Sequence, residues 1–223
     1  MNTFCAAHNA ALETGQCGGR PEVSWTRELR MLRQGGLLIY PTETFYALGC
    51  LATDHSAVER VFTAKGRSRK KTVPLVVSSW AMVEKFLRLS RVARALAKTF
   101  WPGPLSIVTD VDESISALAR DGAGQAAVRM TPHPVARILC ELAEAPLVSS
   151  SANFSGGAPV CAPQDLDAGL VRLSGAMVID AEPWPRGGLP STLVKPADGR
   201  ALRVLREGAV RVSELTAQGY EIV

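Results

Sequence analysis

No Cys-x-x-Cys pair, no histidine pair at ligand spacing and no Gly-x-Ser-x-Gly elbow occurs in these 223 residues. Each absence closes off a chemistry. The five cysteines, Cys5, Cys17, Cys50, Cys140 and Cys161, are odd in number and scattered. Neither a disulfide framework nor a zinc site is expected from them, and reduced thiols in a cytoplasmic protein are. His8, His55 and His133 are equally dispersed, so no resident metal is expected. No cysteine stands beside a plausible histidine base, which leaves a hydrolase with a covalent intermediate little support. A Walker loop and a G-x-G-x-x-G are both missing, so any nucleotide site is neither P-loop nor Rossmann. Aromatic residues make up only 6% of the chain and none interleaves with its basic run, which speaks against base-stacking recognition of RNA.

Long membrane-compatible runs are lacking too. Residues 145–164 carry no charge, but four serines, an asparagine and three prolines would be expensive to bury in hydrocarbon. The stretch reads as a polar loop between apolar elements. No cationic segment followed by an apolar core opens the chain, so no secretory signal is expected. With 47% hydrophobic and 21% charged residues the composition suits a soluble domain with a sizeable core, and the net charge of +4 is only a mild bias.

What is present is an alternation of helical and strand patterns after a loosely ordered extension, residues 1–20. Glu22–Gln34 reads as a helix stopped by Gly35-Gly36, and Leu37–Tyr40 as a buried strand. Asp54 can cap a helix whose face carries Val58, Val61, Phe62 and Lys65. Ser79–Leu87, Ser90–Phe100, Pro134–Ala143 (Val135, Ile138, Leu139 and Leu142 inward) and Pro163–Leu173 read as further helices. Leu105–Thr109, Ala126–Met130, Leu147–Ser150, Met177–Asp180, Thr192–Lys195 and Arg203–Leu205 read as strands. One α/β domain over 21–223 follows, with a mixed sheet because some connections are too short for helical crossovers.

Four stretches place polar or basic residues at the ends of apolar runs. Lys65, Arg67, Arg69, Lys70 and Lys71 fall within seven positions, uninterrupted by acid. They form either a solvated loop or a site for a polyphosphate or nucleic acid. In Tyr40–Gly49, Thr42 and Thr44 either bind a ligand or satisfy turn amides. Arg129 ends a strand, where an arginine is paired to a carboxylate or recognises an anion through its planar fork. Ser149–Gly157 combines hydroxyls, an amide and glycines, a composition suited to close approach by phosphate oxygens.

Together these stretches resemble the YrdC-type threonylcarbamoyl-adenylate synthases, from about Val23 to Val210. The resemblance rests on Pro41-Thr-Glu-Thr-x-Tyr46, Lys65-x-Arg67 followed by Pro74-Leu75, Trp101-Pro-Gly-Pro-Leu105 and Ala127-Val-Arg-Met130. It continues through Ser151-x-Asn153 with Ser155-Gly156, Ser191-Thr192 and Leu205-Arg-Glu-Gly208. It implies a single YrdC-like domain, a twisted mixed parallel and antiparallel sheet flanked by helices, with a basic concave cleft. It further implies condensation of L-threonine, bicarbonate and ATP into threonylcarbamoyl-AMP and pyrophosphate, with Mg²⁺ carried on the ATP phosphates and no organic cofactor. A separate partner protein would then transfer the threonylcarbamoyl group to tRNA.

By the same resemblance Lys65 and Arg67 hold the ATP phosphates as the catalytic cations, and Gln125, Ser149, Ser151, Asn153 and Arg206 complete the nucleotide site. Thr44, Ser78, Arg129 and Ser191 bind threonine. Ser78 stands where many relatives carry histidine, Ala47 where glycine is usual, and Ser68 where proline often follows the Lys-x-Arg pair. Arg69, Lys70 and Lys71 exceed the pattern and would grip phosphate or contact RNA. The chain ends soon after Gly208, as in the short, single-domain form. Two other functions stay open: a non-catalytic RNA-binding module on the same fold, and a paralogue that makes a different carbamoyl-adenylate.

Overall fold

The structure, a computed structural model, describes residues 25–69 and 72–223. The expected extension 1–20, the start of the first helix, Cys5, Cys17, His8, Lys70 and Lys71 lie outside the described residues.

Helix α1 (Thr26–Arg33) turns Leu32 inward and stops at Gly35, whose φ of +74° suits a residue without a Cβ. Strand β1 (Leu38–Pro41) is buried along its whole length, so its apolar run is continuous rather than alternating. A tight turn then leads to β2 (Tyr46–Gly49), which pairs antiparallel with β1 from Leu38↔Gly49 to Pro41↔Tyr46. The sequence pattern showed no strand there. Helix α2 (His55–Lys65) starts where the Asp54 carboxylate accepts the Ala57 N–H at 2.9 Å and ends at left-handed Gly66. Val58, Val61, Phe62 and Lys65 are all buried on it, as their spacing predicts.

Next come β3 (Leu75–Val77), α3 (Trp80–Phe86), β4 (Leu87–Arg88) and α4 (Arg91–Phe100), with Ser79 and Ser90 capping the two helices through their hydroxyls. Then follow β5 (Leu105–Val111), β6 (Gln125–Met130) and α5 (Pro134–Ala143). The buried face of α5 is Val135, Ala136, Leu139 and Cys140; Ile138 is half-buried and Leu142 is 40% exposed. The small residues Ala136 and Cys140 face inward because α5 packs closely on α1, β1 and β3.

The expected strand 147–150 is two pieces, β7 (Leu147–Val148) and β8 (Ser150–Ser151). The expected helix 163–173 also divides, into a 3₁₀ turn at Pro163–Asp165 and α6 (Ala168–Ser174). Asp167 makes the break by accepting the Leu170 N–H at 3.0 Å, an N-cap geometry incompatible with a helix interior. The chain finishes through β9 (Met177–Val178), β10 (Thr192–Pro196), β11 (Ala201–Arg206), α7 (Val212–Ala217) and β12 (Glu221–Ile222).

The strands form two sheets, ordered β8-β2-β1-β9 and β12-β11-β10-β5-β6-β3-β7, with β4 beside β5. Both are mixed: β1 with β9, β3 with β6, β5 with β10 and β11 with β12 run parallel, and the remaining pairs antiparallel. One strand path joins them. The chain runs along β3 as β7, turns at Ser149, whose N–H donates to Pro74 O at 2.8 Å, and continues along β2 as β8. Gly49 makes this seam possible, because a Cβ there would lie 1.7 Å from Val148 O.

Candidate active site at the seam between the sheets

A cavity of about 170 Å³ opens along this seam. The turn before β2, the end of β6, the Ser149–Gly157 segment and the start of β10 with Arg206 all reach it. Among the described residues three arginines line it, Arg67, Arg129 and Arg206, and no acidic residue does. Hydroxyls and an amide complete it, from Thr42, Thr44, Ser149, Ser150, Ser151, Ser191 and Asn153.

The Pro41–Tyr46 segment divides its two threonines between structure and site. Thr42 organises the turn: its Oγ1 donates to Phe45 O at 2.7 Å and accepts the Thr44 and Phe45 N–H groups, both at 3.4 Å. Thr44 contributes its Oγ1, 3.3 Å from Thr42 Oγ1. Between them Glu43 points to β6, where Arg129 Nε donates to Glu43 Oε1 at 2.6 Å and Thr131 Oγ1 to Oε2 at 2.7 Å. Burial pushes the Glu43 carboxyl up, but the Arg129 charge and the bonds from Thr131 and Arg129 together outweigh it and hold it below the ordinary carboxylate range. Arg129 Nη2 also donates to Ser149 Oγ at 3.2 Å. The sequence left carboxylate pairing and anion recognition as alternatives for Arg129. It has a carboxylate partner and also lines the cavity.

On the opposite wall Arg206 donates through Nε and Nη2 to Ser191 O, at 3.2 and 2.7 Å, and Nη2 reaches Ser191 Oγ at 3.2 Å. Ser106 Oγ lies 3.0 Å from Ser191 Oγ and fixes it from the β5 side. Gly208 must be glycine here, since a Cβ would stand 2.1 Å from Pro190 O. Burial, then the charges of Arg129 and Arg67, pull Arg206 below the usual guanidinium value. Guanidinium still keeps its proton at any ordinary pH. Arg206 therefore feels the charges of the other two, of which Arg129 is already paired with Glu43, and an anion beside Arg206 would relieve that repulsion.

Lys65 ends α2 with its ammonium buried, donating to the carbonyls of Ser151 and Asn153. It thus ties the serine-rich loop to α2, and Ser155 N–H donates back to Lys65 O at 3.2 Å. Burial, helped by the nearby Arg67 charge, pulls its pKa down to about 8. Arg67 lines the cavity and donates to Thr72 O at 2.8 Å. Asn153 Nδ2 closes the loop by donating to Phe154 O and Gly157 O, at 2.7 and 2.8 Å. Its buried Oδ1 has no hydrogen-bond partner among the described residues.

Of the site residues expected from sequence, Thr44, Arg67, Arg129, Ser149, Ser151, Asn153, Ser191 and Arg206 converge on this cavity. Three do not line it. Lys65 lies behind the loop that it anchors. Ser78 is buried just after β3, and its Oγ has no partner among the described residues. Gln125 sits at the far end of β6 and donates to Asp110 Oδ1 at 2.9 Å, because strand length carries it away from Arg129. Arg69 pairs with Glu59 on the surface. Glu43, Thr131 and Ser106 were missed as site residues. The one available signal was Glu43 itself, an acid inside a motif otherwise built of small hydroxyls.

A family model described as "Telomere recombination", the Sua5/YciO/YrdC domain, matches residues 30–208. The chain belongs to the Sua5/YciO/YrdC family. It is 37% identical over 178 residues to the threonylcarbamoyl-AMP synthase of Pyrococcus abyssi, covering 71% of this chain and 52% of that protein. The chain thus spans about half the length of that relative. The threonylcarbamoyl-AMP synthase of Thiobacillus denitrificans is 35% identical over 175 residues, 77% of this chain and 90% of that one. Among solved structures, P. abyssi Sua5 complexed with L-threonine superposes with a TM-score of 0.78 at 30% identity, covering 88% of this chain and 58% of that one. The Sua5/YciO/YrdC fold is thus the frame on which the seam cavity is built.

Proposed function

We propose that this chain is an L-threonylcarbamoyl-adenylate synthase, forming threonylcarbamoyl-AMP and pyrophosphate from L-threonine, bicarbonate and ATP. The observation that carries the proposal is the seam cavity, lined among the described residues by three guanidinium groups and a hydroxyl-rich loop and by no carboxylate. At about 170 Å³ it is smaller than the roughly 300–1,000 Å³ that encloses a drug-sized ligand. It suits an amino acid inside, with the nucleotide running out over the Ser149–Gly157 loop.

In this reading the threonine amine attacks bicarbonate and water leaves, giving a carbamate. A carbamate oxygen then attacks the α-phosphorus, and the bond to pyrophosphate breaks. Two anions must meet, so the protein's task is to hold them and neutralise their repulsion. Arg129 takes the threonine carboxylate, with Thr44 and Ser191 beside it. Arg67 and Arg206 face the phosphates, and Lys65 supports the loop of Ser149, Ser151 and Asn153. Mg²⁺ would arrive on the triphosphate as part of the substrate.

Transfer of the product to tRNA by a separate partner protein, and a cytoplasmic location, belong to the same proposal. No helix among the described residues is long and apolar enough to cross a membrane. RNA contact through Arg69 gains little support from its pairing with Glu59.

Pyrophosphate release in the presence of ATP, Mg²⁺, bicarbonate and single amino acids tests the proposal. Release dependent on threonine is expected. Release with another amino acid alone would indicate the paralogue, and none, with salt-sensitive RNA binding, the RNA module. A charge-assisted contact contributes about 1.5–3 kcal/mol, so Arg129→Ala is expected to raise the threonine KM about tenfold or more.

A further inference from the structure

Both carboxylate oxygens of Glu43 are committed, Oε1 to Arg129 Nε and Oε2 to Thr131 Oγ1. The side chains of Arg129 and Glu43 are only 4% and 11% exposed, so neither exchanges this partner freely for water. Thr131 is itself held, because its Oγ1 accepts the backbone N–H of His133, the residue that opens α5, at 3.1 Å. A rigid chain therefore runs from the start of α5 through Thr131 and Glu43 to the guanidinium.

A guanidinium presents five N–H donors in a fixed plane and can fork onto a carboxylate through either of two kinds of edge. In Arg129 the Nε–H is taken by Glu43, which removes the edge containing it. The edge left for a ligand is Nη1 with Nη2, and Nη2 spends one hydrogen on Ser149 Oγ at 3.2 Å. We propose that Glu43 is a positioning residue that locks the Arg129 guanidinium so that its Nη1–Nη2 edge alone receives the ligand carboxylate. This rests on the amino-acid-binding reading of the cavity. It assigns the acidic residue of the Pro41–Tyr46 motif to orientation of the amino acid rather than to proton transfer, since Glu43 does not line the cavity and both its oxygens are turned to Arg129 and Thr131.

The test is Glu43→Gln, which keeps shape and removes charge. The threonine KM is expected to rise about tenfold while the ATP KM stays within about twofold, because only the carboxylate contact depends on the lock. Equal changes in both KM values, or no change, would overturn the assignment. Should Glu43→Gln fail to fold, Thr131→Val removes the second anchor of Glu43 and Thr131→Ser keeps it. Thr131→Val is expected to weaken threonine binding with Thr131→Ser near wild type, and identical behaviour of the two overturns the proposal. The lock is also visible without turnover, as an Arg129 Nε–H NMR resonance protected from exchange in the wild type and exposed in Glu43→Gln. An unprotected wild-type resonance sinks the lock alone, whereas absence of threonine-dependent pyrophosphate release sinks the synthase reading beneath it.

Discussion

Replacing Arg129 with methionine should cost this protein a large part of its stability, and the cost should depend on pH in a particular direction. Methionine fills most of the buried volume but removes the cation that faces Glu43. Stranding one partner of a buried pair costs about 3–5 kcal/mol, against a total stability of about 5–15 kcal/mol. For a domain of this size that corresponds to a fall in Tm of roughly 6–20 °C.

The wild-type Glu43 carboxyl is held below its ordinary range despite burial, so the pair contributes stability that is present above that range and lost as pH falls through the lowered value. In the variant burial, the largest influence, is opposed only by the Thr131 and backbone bonds, and folded Glu43 is expected to keep a proton that the unfolded chain releases. The deficit relative to wild type should therefore widen from about pH 4 to pH 7. Urea unfolding followed by circular dichroism at the two pH values measures it. Adding Glu43→Gln to Arg129→Met should recover part of the loss at pH 7, since no charge is then stranded. A deficit independent of pH, or strictly additive losses in the double variant, would refute the reasoning.

Two further outcomes follow from single contacts. Burial and then Arg67 hold Lys65 at about 8, so between there and its ordinary value of 10.5 the unfolded chain binds a proton that the folded chain has released. The Lys65 contribution to stability should rise with pH across that window and disappear in Lys65→Met, as read from the difference in Tm between pH 8 and pH 10 for the two proteins. Gly208→Ala places a methyl 2.1 Å from Pro190 O and 2.9 Å from the Ser191 carbonyl carbon and the Thr192 nitrogen. Backbone must move, so a loss of at least about 1–3 kcal/mol is expected in urea unfolding, with weaker nucleotide binding through the displaced Ser191–Arg206 contact. An unchanged midpoint would refute the close approach.

Much of the frame was legible because it rests on local rules. Helix α2 follows from the Asp54 cap, the period of Val58, Val61 and Phe62, and the Gly66 stop. The mixed sheet follows from short connections, and eight of the residues that the resemblance assigns to a site line one cavity. What escaped depends on neighbours distant in sequence. Strand β2 went unassigned because Tyr46–Gly49 becomes a strand only by pairing with β1 and β8. The inward face of α5 shifted from Ile138 and Leu142 to Ala136 and Cys140 because close packing on two strands and α1 favours small side chains.

The same division runs through the site. Residue types and spacing by themselves determined where cations and hydroxyls cluster along the chain, leaving a solvated loop and an anion site both open, and gave no indication of disulfide, zinc or covalent-nucleophile chemistry. Only the tertiary structure decided which charges face one another: Glu43 meets Arg129 across 86 residues, Lys65 meets loop carbonyls across 86 and 88, and Arg69 turns away to Glu59. In the sequence alone a guanidinium can donate to any carboxylate or carbonyl equally well. Its actual partner is chosen by the fold, which buries Arg129 with Glu43 away from water and leaves Arg69 with Glu59 on the surface.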